Sequence, residues 1–172
     1  DNQLFKYWNL KKEHFAKILN SSDHFGIIQK PILQNVPILG VAGDQQASLL
    51  GHQAFDNGAL KITYGTGCFA LKNIGASFKK PPKGLLTTIA WKLNGEIQYA
   101  FEGSVLIGGA AIQFLRDNLG IIKTVQESEG LALSIKSNEG VYFVPAFGGL
   151  GSPYWNPNAQ GLFCGLTRGS DA

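Results

Sequence analysis

The chain has 172 residues, of which 44% are hydrophobic and 16% are charged. This composition excludes an intrinsically disordered protein, and the length suits one ordinary domain or parts of two. Fifteen basic and twelve acidic residues give a net charge of +3, which is too small to indicate a nucleic-acid-binding protein. The longest apolar stretch, around residues 105–112, is far shorter than the ~18 residues that a transmembrane helix requires.

The ends of the sequence and its cysteines predict a piece of a cytoplasmic protein. The sequence contains no methionine and begins with aspartate, so we expect a fragment or a processed product. It ends on a helix start signal, residues 169–171, with no helix after it. No secretory signal is visible at the start. Cys68 and Cys164 are far apart in the sequence, which favours free thiols in a reducing compartment over a disulfide.

The first third of the sequence predicts a helix, a buried strand and a second helix. Residues 9–20 carry apolar side chains at helical spacing after Asn9, which is a suitable N-cap. The continuous apolar run at 36–41 is typical of a buried strand. Residues 44–55 predict a helix. Its expected buried side chains are Ala47, Leu50 and Ala54.

The sequence pattern changes at Gly58, where we place a domain boundary between residues 1–57 and 58–172. Four strands are predicted beyond it, at 59–64, 68–74, 85–93 and 96–101. The first two are joined by a Gly-Thr-Gly turn. The last two are joined by Asn94-Gly95, which is a strong signal for a two-residue hairpin.

Two further helices and two strands are predicted in the last third. One helix covers residues 108–119 and stops at Gly120. The next begins at Thr124, which forms a capping box with Glu127. Two strands are predicted, at 141–146 and 162–167. The segment between these strands is rich in glycine, proline and aromatic residues, and we expect a packed loop.

Two local features are candidates for a functional site. Asp44 follows a predicted strand at the start of a helix, which is where α/β sheets place their ligands. Its carboxylate can accept a proton from a hydroxyl, although a plain helix N-cap is the structural alternative. The turn of residues 65–67 offers backbone N–H groups and a hydroxyl to a phosphate, although a simple tight turn explains it too. A dinucleotide-binding motif is excluded there, because a strand pattern follows the glycines.

Five segments, in this order and at this spacing, resemble the glycerol kinases of the FGGY carbohydrate kinase family. They read AGDQQA at 42–47, TYGTGCF at 63–69, GLLTTI at 84–89, PAFGGLGSPYW at 145–155 and GLTRG at 165–169. The resemblance implies an α/β fold of the actin/ribonuclease H-like type, with two domains and a cleft between them. Residues 1–57 then match the end of the first domain, and residues 58–172 match the first part of the second, nucleotide-binding domain.

The resemblance also implies roles for individual residues. On the acceptor side, it implies that Asp44 is the catalytic base, that Asp44 and Gln45 bind glycerol, and that Phe69 packs against its carbon atoms. On the nucleotide side, it implies contacts from five residues. These are Gly65, Thr66 and Gly67 for the phosphates, and Gly109 and Gln113 for the rest of the nucleotide site. It assigns no metal ligand to this chain.

The reaction that the resemblance implies is transfer of the γ-phosphate of ATP, with Mg²⁺, to the primary hydroxyl of glycerol, which gives sn-glycerol 3-phosphate. We expect glycerol and ATP as partners, no nucleic acid, and a whole enzyme that is a homodimer or tetramer. The 172-residue chain by itself is expected to be inactive, because half of the cleft lies outside it. Two alternatives stay open, namely another FGGY kinase acting on a pentulose or similar polyol, and a non-catalytic nucleotide-binding module.

Overall fold

The computed structural model describes residues 2–171, which contain four α-helices and eight β-strands. They form two compact units. One unit runs up to Ala42 and adds Trp91–Ile97, and the other comprises Gly43–Ala90 and the residues from Gln98 onward. The predicted boundary near Gly58 concerns the domains of a longer fold and stays a prediction.

The helix predicted over residues 9–20 is wrong. Helix α1 covers Asn2–Tyr7 instead, and only a short 3₁₀ turn follows. Asn9 has a φ of 52° and lies just after α1. The Leu10 N–H donates back to the Phe5 carbonyl at 2.8 Å, which is the bond that closes a helix C-terminus around a left-handed residue. Asn9 therefore ends a helix, although its residue type suits the start of one equally well.

The strand predicted at 36–41 is present but it is not buried. Strand β1 (Ser22–Ile27) pairs in antiparallel fashion with β2 (Pro37–Gly40). All four residues of β2 are exposed. The expectation of burial is wrong because β2 belongs to a two-stranded sheet within the described residues, and a hairpin of this size leaves its apolar side chains uncovered.

A four-stranded sheet forms the centre of the second unit, and all four of its predicted strands are confirmed. The strands are β3 (Leu60–Tyr64), β4 (Cys68–Gly75), β5 (Leu86–Leu93) and β6 (Glu96–Val105), in the order β3-β4-β6-β5. Asn94 and Gly95 both adopt positive φ, at 50° and 85°, as the predicted two-residue hairpin requires. The fully buried Leu71 and Ala100 place the core on this sheet.

Helix α2 covers Asp44–Gly51 and packs against β3 and β4. Its buried residue is Leu49, whereas Ala47, which was expected inside, is exposed. Leu50 is half-buried. Ala54 is buried as predicted, but it reaches the core from the turn that follows the helix, because α2 is shorter than the sequence pattern indicates.

The last third of the chain packs around aromatic side chains. Its elements are α3 (Gly109–Asp117), α4 (Glu127–Ser134), β7 (Tyr142–Val144) and β8 (Leu162–Cys164). Phe114 on α3 stacks on Phe143 of β7, which in turn stacks on Phe163 of β8 with ring centroids 4.2 Å apart. These contacts fix α3, whose N-terminus belongs to the candidate site, to the β7–β8 hairpin.

The capping box predicted at Thr124 is wrong, whereas the helix stop at Gly120 is confirmed by its φ of 64°. Helix α4 begins at Glu127, three residues later than expected. The Glu127 carboxylate accepts the N–H of Lys123 at 2.7 Å and not that of Thr124, so the residues before the helix form a turn of their own.

The loop between β7 and β8 is packed, as predicted, and it is held by hydrogen bonds to the sheet. The backbone N–H of Ser152 donates to the Ser104 carbonyl at 2.8 Å, and the Ser104 N–H donates to the Ser152 hydroxyl at 3.1 Å. The Trp155 indole N–H donates to the Gly84 carbonyl at 2.8 Å. Among residues 2–171, no helix has the length and apolar character that crossing a membrane demands.

We expect Asn73→Ala to destabilise the second unit. The Asn73 side chain is fully buried and donates to the carbonyls of Ala54 and Phe55 at 2.9 and 3.0 Å. Its Oδ1 also accepts the Gly75 N–H at 2.8 Å. Removing these bonds leaves buried polar groups without partners, at a cost of about 2 kcal/mol or more in the free energy of unfolding.

The measurement is the thermal denaturation midpoint of the whole protein that contains this chain. Asn158→Ala is the matched control, because Asn158 is exposed. An Asn73→Ala midpoint equal to that of the control would contradict the structural role of Asn73.

Candidate functional site

Asp44 is the first residue of α2, and its carboxylate is exposed to solvent. The N-cap of α2 is Gly43, so the alternative in which Asp44 merely caps the helix is wrong. Its Oδ1 accepts the adjacent Gln45 N–H at 2.8 Å. A carboxylate in the first turn is favoured by the helix dipole. The accessible oxygens of Asp44 can therefore accept a proton from a bound hydroxyl.

Gln45 is held by two side chains of β3. The Lys61 Nζ donates to the Gln45 Oε1 and to the Thr63 Oγ1, each at 2.6 Å. The Thr63 hydroxyl lies 3.3 Å from the same amide oxygen. Burial lowers the pKa of Lys61, and the negative charges of Asp44 and Glu102 oppose that shift. A polar group of fixed geometry therefore lies directly beside Asp44.

The sequence reasoning missed Lys61 and Thr63, because the sequence does not show which face of β3 is covered. Along β3, the apolar Leu60, Ile62 and Tyr64 are exposed, whereas Lys61 is buried and Thr63 is half-buried. Strand β3 thus departs from the usual pattern, in which the apolar face of a strand points inward and the polar face points to solvent. Polar residues on the covered face of a strand indicate a site, because burying them requires specific partners.

Phe69 shares a sheet face with these polar residues. It is directly opposite Thr63 in the β3–β4 pair, and Leu71 is directly opposite Lys61. Residues opposite each other in an antiparallel pair point to the same side of the sheet. Phe69 is half-buried, so part of its ring is accessible on this face.

The Gly65-Thr66-Gly67 turn joins β3 to β4 and docks on the N-terminus of α3. The Thr66 carbonyl accepts the Gly108 N–H at 2.6 Å, and the Gly65 carbonyl accepts the Gly109 N–H at 2.8 Å. The Gly65 N–H is engaged by the Gly67 carbonyl at 2.9 Å. The N–H groups of Thr66 and Gly67 donate to no acceptor within residues 2–171. Of these two donors, the Thr66 N–H belongs to an exposed residue that a ligand can reach, whereas Gly67 is buried.

A cavity of about 390 Å³ opens beside the turn and brings four of the predicted nucleotide-site residues together. Its lining consists of Tyr64, Gly65, Thr66, Gly109, Gln113 and Val125. Gly67 is buried beneath the turn and does not line it. Tyr64 and Val125 were not foreseen, because a tyrosine at a strand end and a valine before a helix are ordinary surface residues by pattern.

Strand β3 connects the two groups of residues. Lys61 and Thr63 contact Gln45 from the middle of the strand, and Tyr64 at its end leads directly into the turn. A carboxylate able to accept a proton and a glycine-flanked turn with an accessible N–H donor are parts of the kind that phosphoryl transfer requires.

The chain belongs to the FGGY family of carbohydrate kinases, because the model of the family's C-terminal domain matches residues 60–172. The glycerol kinase of Francisella tularensis subsp. novicida is 49% identical over 170 residues, which are 98% of this chain and 34% of that protein. The chain thus spans about a third of the length of this curated relative.

Solved structures place the same fold over nearly the whole chain. The crystal structure of Plasmodium falciparum glycerol kinase with ADP has a TM-score of 0.83 and 34% identity, and it covers 99% of this chain and 35% of its own. The ligand-bound xylulose kinase of Lactobacillus acidophilus has a TM-score of 0.80, with 24% identity and coverage of 98% of this chain and 35% of its own. The predicted actin/ribonuclease H-like α/β fold is confirmed as a partial fold of this type.

We expect Gly67→Ala to displace the turn and to weaken nucleotide binding. A Cβ at this position would lie 2.7 Å from the Val105 carbonyl oxygen and 2.9 Å from that of Leu106. Both contacts are to backbone, so the turn must move, at a cost of about 1–3 kcal/mol. The thermal midpoint of the whole protein should fall, and the rise in midpoint on adding ATP should shrink.

Gly130→Ala is the control for this prediction. Gly130 lies within α4, and a Cβ there meets nothing within 4 Å. Alanine is about 1 kcal/mol more favourable than glycine in a helix interior, so this midpoint should stay or rise slightly. An unchanged ATP-dependent stabilisation in Gly67→Ala would show that the turn conformation is not required for nucleotide binding.

Proposed function

We propose that this chain supplies the catalytic base, the acceptor contacts and the phosphate-binding turn of an ATP-dependent glycerol kinase. The reaction transfers the γ-phosphate of ATP to the primary hydroxyl of glycerol and gives sn-glycerol 3-phosphate. The observation that carries the proposal is the position of the exposed Asp44 carboxylate over β3, the strand that ends in the turn of residues 65–67. The 49% identity to a glycerol kinase supports glycerol as the acceptor.

On the acceptor side, Asp44 takes the proton from the attacking hydroxyl as the hydroxyl oxygen bonds to the γ-phosphorus and the bond from that phosphorus to the leaving ADP breaks. Proton removal is needed only as the new bond forms, so a carboxylate held against the hydroxyl lowers the barrier. Gln45 is half-buried and bonded through its amide oxygen, so it can bind an acceptor hydroxyl from a fixed position. The accessible part of the Phe69 ring suits the CH groups of a small polyol.

On the nucleotide side, the N–H and the hydroxyl of Thr66 bind phosphate oxygens, and the buried Gly67 holds the turn in place behind them. The N-terminus of α3 lies behind the turn and donates to its carbonyls, so the positive end of the helix dipole is directed through the turn toward the phosphates. Gly109 and Gln113 line the rest of the cavity, which we assign to the nucleotide. The bare backbone at Gly109 allows the turn to approach, since a Cβ there would lie 2.9 Å from the Gly65 carbonyl oxygen.

Mg²⁺ belongs to the same proposal and would be bound mainly by the phosphates of ATP. Such an ion keeps several waters and needs only one or two protein carboxylates. Asp44 offers exposed carboxylate oxygens, which are ligands of the type that Mg²⁺ prefers. When bound, the ion neutralises the charge that develops on the transferred phosphoryl group.

The proposed domain division assigns residues 1–57 to the end of the first domain and 58–172 to the first part of the second. The family match, which begins at residue 60, supports this boundary. A homodimeric or tetrameric whole enzyme in the cytoplasm is also part of the proposal. Sedimentation of the whole protein tests the assembly state.

We expect Asp44→Asn to lower kcat for glycerol phosphorylation by about a thousandfold or more, because an amide cannot accept the proton. Binding of ATP should change little, since Asp44 does not line the nucleotide cavity. The measurements are ADP release coupled to a dehydrogenase assay, and ATP titration by calorimetry, both with the whole protein that contains this chain.

Asp56→Asn is the matched control, because Asp56 is an exposed aspartate after α2. Near-normal turnover by Asp44→Asn would exclude Asp44 as the base. An acceptor panel of glycerol, xylulose and ribulose separates glycerol kinase from a pentulose kinase. ATP binding without turnover on any acceptor would support the non-catalytic nucleotide-binding module instead.

Thr66→Ala tests the nucleotide side independently. Loss of a hydroxyl that donates to a charged phosphate should raise KM for ATP by about tenfold, with KM for glycerol within about twofold of wild type. Thr87→Ala is the control, since its hydroxyl donates to the Lys79 carbonyl at 2.8 Å away from the turn. Equal changes in both KM values would contradict a phosphate contact.

A further inference from the structure

Lys61 is a buried ammonium that the proposed reaction does not use directly. Its side chain is 3% exposed, and lysine is almost never this buried without a partner. No carboxylate lies within salt-bridge distance of its Nζ in the described part of the chain. The ammonium instead donates to two neutral oxygens, those of Gln45 and Thr63.

The Lys61 contact determines how the Gln45 amide is oriented. An ammonium has three donors and no acceptor, so the amide atom at 2.6 Å must be the oxygen. The Thr63 hydroxyl donates to the same oxygen at 3.3 Å, so both of its acceptor positions are in use. The Nε2 is consequently turned toward Asp44, 3.5 Å from its Oδ2. Gln45 therefore presents donors, not an acceptor, beside the carboxylate.

The charges around Lys61 agree with this orientation. Glu102 is opposite Leu71 across the β4–β6 pair, and Leu71 is opposite Lys61, so Glu102 lies on the same sheet face. Asp44 approaches that face from α2. Burial lowers the pKa of the Lys61 ammonium, and the charges of these two carboxylates oppose that shift and favour its charged form.

We propose that Lys61 is a positioning residue of the acceptor site, which fixes the Gln45 amide so that its Nε2 donates to a hydroxyl oxygen of the acceptor next to Asp44. This inference rests on the proposed function, because it requires the acceptor to bind at Asp44. Without the ammonium, the amide can rotate and offer either end. A smaller fraction of the bound acceptor molecules then has its reacting hydroxyl against the base, so both the affinity for the acceptor and the turnover fall.

The test is Lys61→Met in the whole protein, because methionine keeps much of the length of the side chain and removes its donors. We expect KM for the acceptor to rise about tenfold and kcat to fall about tenfold, with KM for ATP within about twofold. Lys72→Met is the matched control. Lys72 is an exposed lysine on β4, opposite Leu60 on the other face of the same sheet, and its loss should change none of these values.

A double-mutant cycle with Gln45→Ala separates positioning from general structural damage. If Lys61 acts through Gln45, then Lys61→Met should change KM for the acceptor by less than about twofold once Gln45 is alanine. If Lys61→Met does not fold, Thr63→Val is used in the same cycle. It removes the hydroxyl that contacts both partners and should raise the acceptor KM about threefold.

The outcomes distinguish this inference from the proposed function. A wild-type protein that phosphorylates no acceptor overturns both. The inference alone is overturned if the wild-type protein phosphorylates glycerol but the effects of Lys61→Met and Gln45→Ala on KM for the acceptor multiply in the double variant. Equal rises in KM for ATP and for the acceptor also overturn it, because they indicate loss of structure throughout the unit.

Discussion

The site depends on a helix that covers the polar face of a β-strand. Helix α2 packs on β3 from the side that carries Lys61 and Thr63, while the apolar side chains of β3 remain exposed. Burying such a face is unfavourable unless each polar group is paired. The Gln45 amide provides that pairing through its oxygen. The requirement to satisfy the buried ammonium thereby fixes the first turn of α2, and with it the position of the Asp44 carboxylate.

At the C-terminal end of β3, close packing likewise fixes the position of the turn that follows the strand. The turn of residues 65–67 and the strand that follows it lie so close to residues 105–109 that a Cβ on Gly67, Gly108 or Gly109 would lie under 3.0 Å from a neighbouring atom. The turn contacts α3 through its carbonyls, so the N–H of the exposed Thr66 remains available. One short strand thus holds Gln45 of α2, next to Asp44, through its middle residues and leads into the turn of residues 65–67 at its end.

Local patterns in the sequence predicted those parts of the fold that depend on local chemistry. The hairpin at Asn94-Gly95 and the helix stop at Gly120 both require positive φ, which asparagine and glycine adopt more readily than other residues. The helix predicted to begin after Asn9 is wrong because asparagine suits both ends of a helix. Only the hydrogen bond from the Leu10 N–H to the Phe5 carbonyl shows that Asn9 ends one. Exposure of β2 was unpredictable, since it depends on what packs against the strand. Asp44 and Thr66 were proposed as site residues from their motifs, whereas Lys61 resembles any surface lysine until α2 covers it.

In the proposed acceptor site, the orientation of the Gln45 amide limits which acceptors this contact can distinguish. An N–H group recognises a lone pair, and a ketone oxygen offers lone pairs as readily as an alcohol does. If Gln45 presents only its nitrogen, as the 2.6 Å bond from Lys61 requires, this contact cannot by itself separate a polyol from its oxidised counterpart. In the proposed site, discrimination between such compounds falls instead to the Asp44 carboxylate, which accepts a proton from a hydroxyl and finds none on a ketone, and to shape beside the Phe69 ring. The two neighbours on α2 would thus divide the task, since Gln45 recognises an oxygen of either kind and Asp44 recognises its proton.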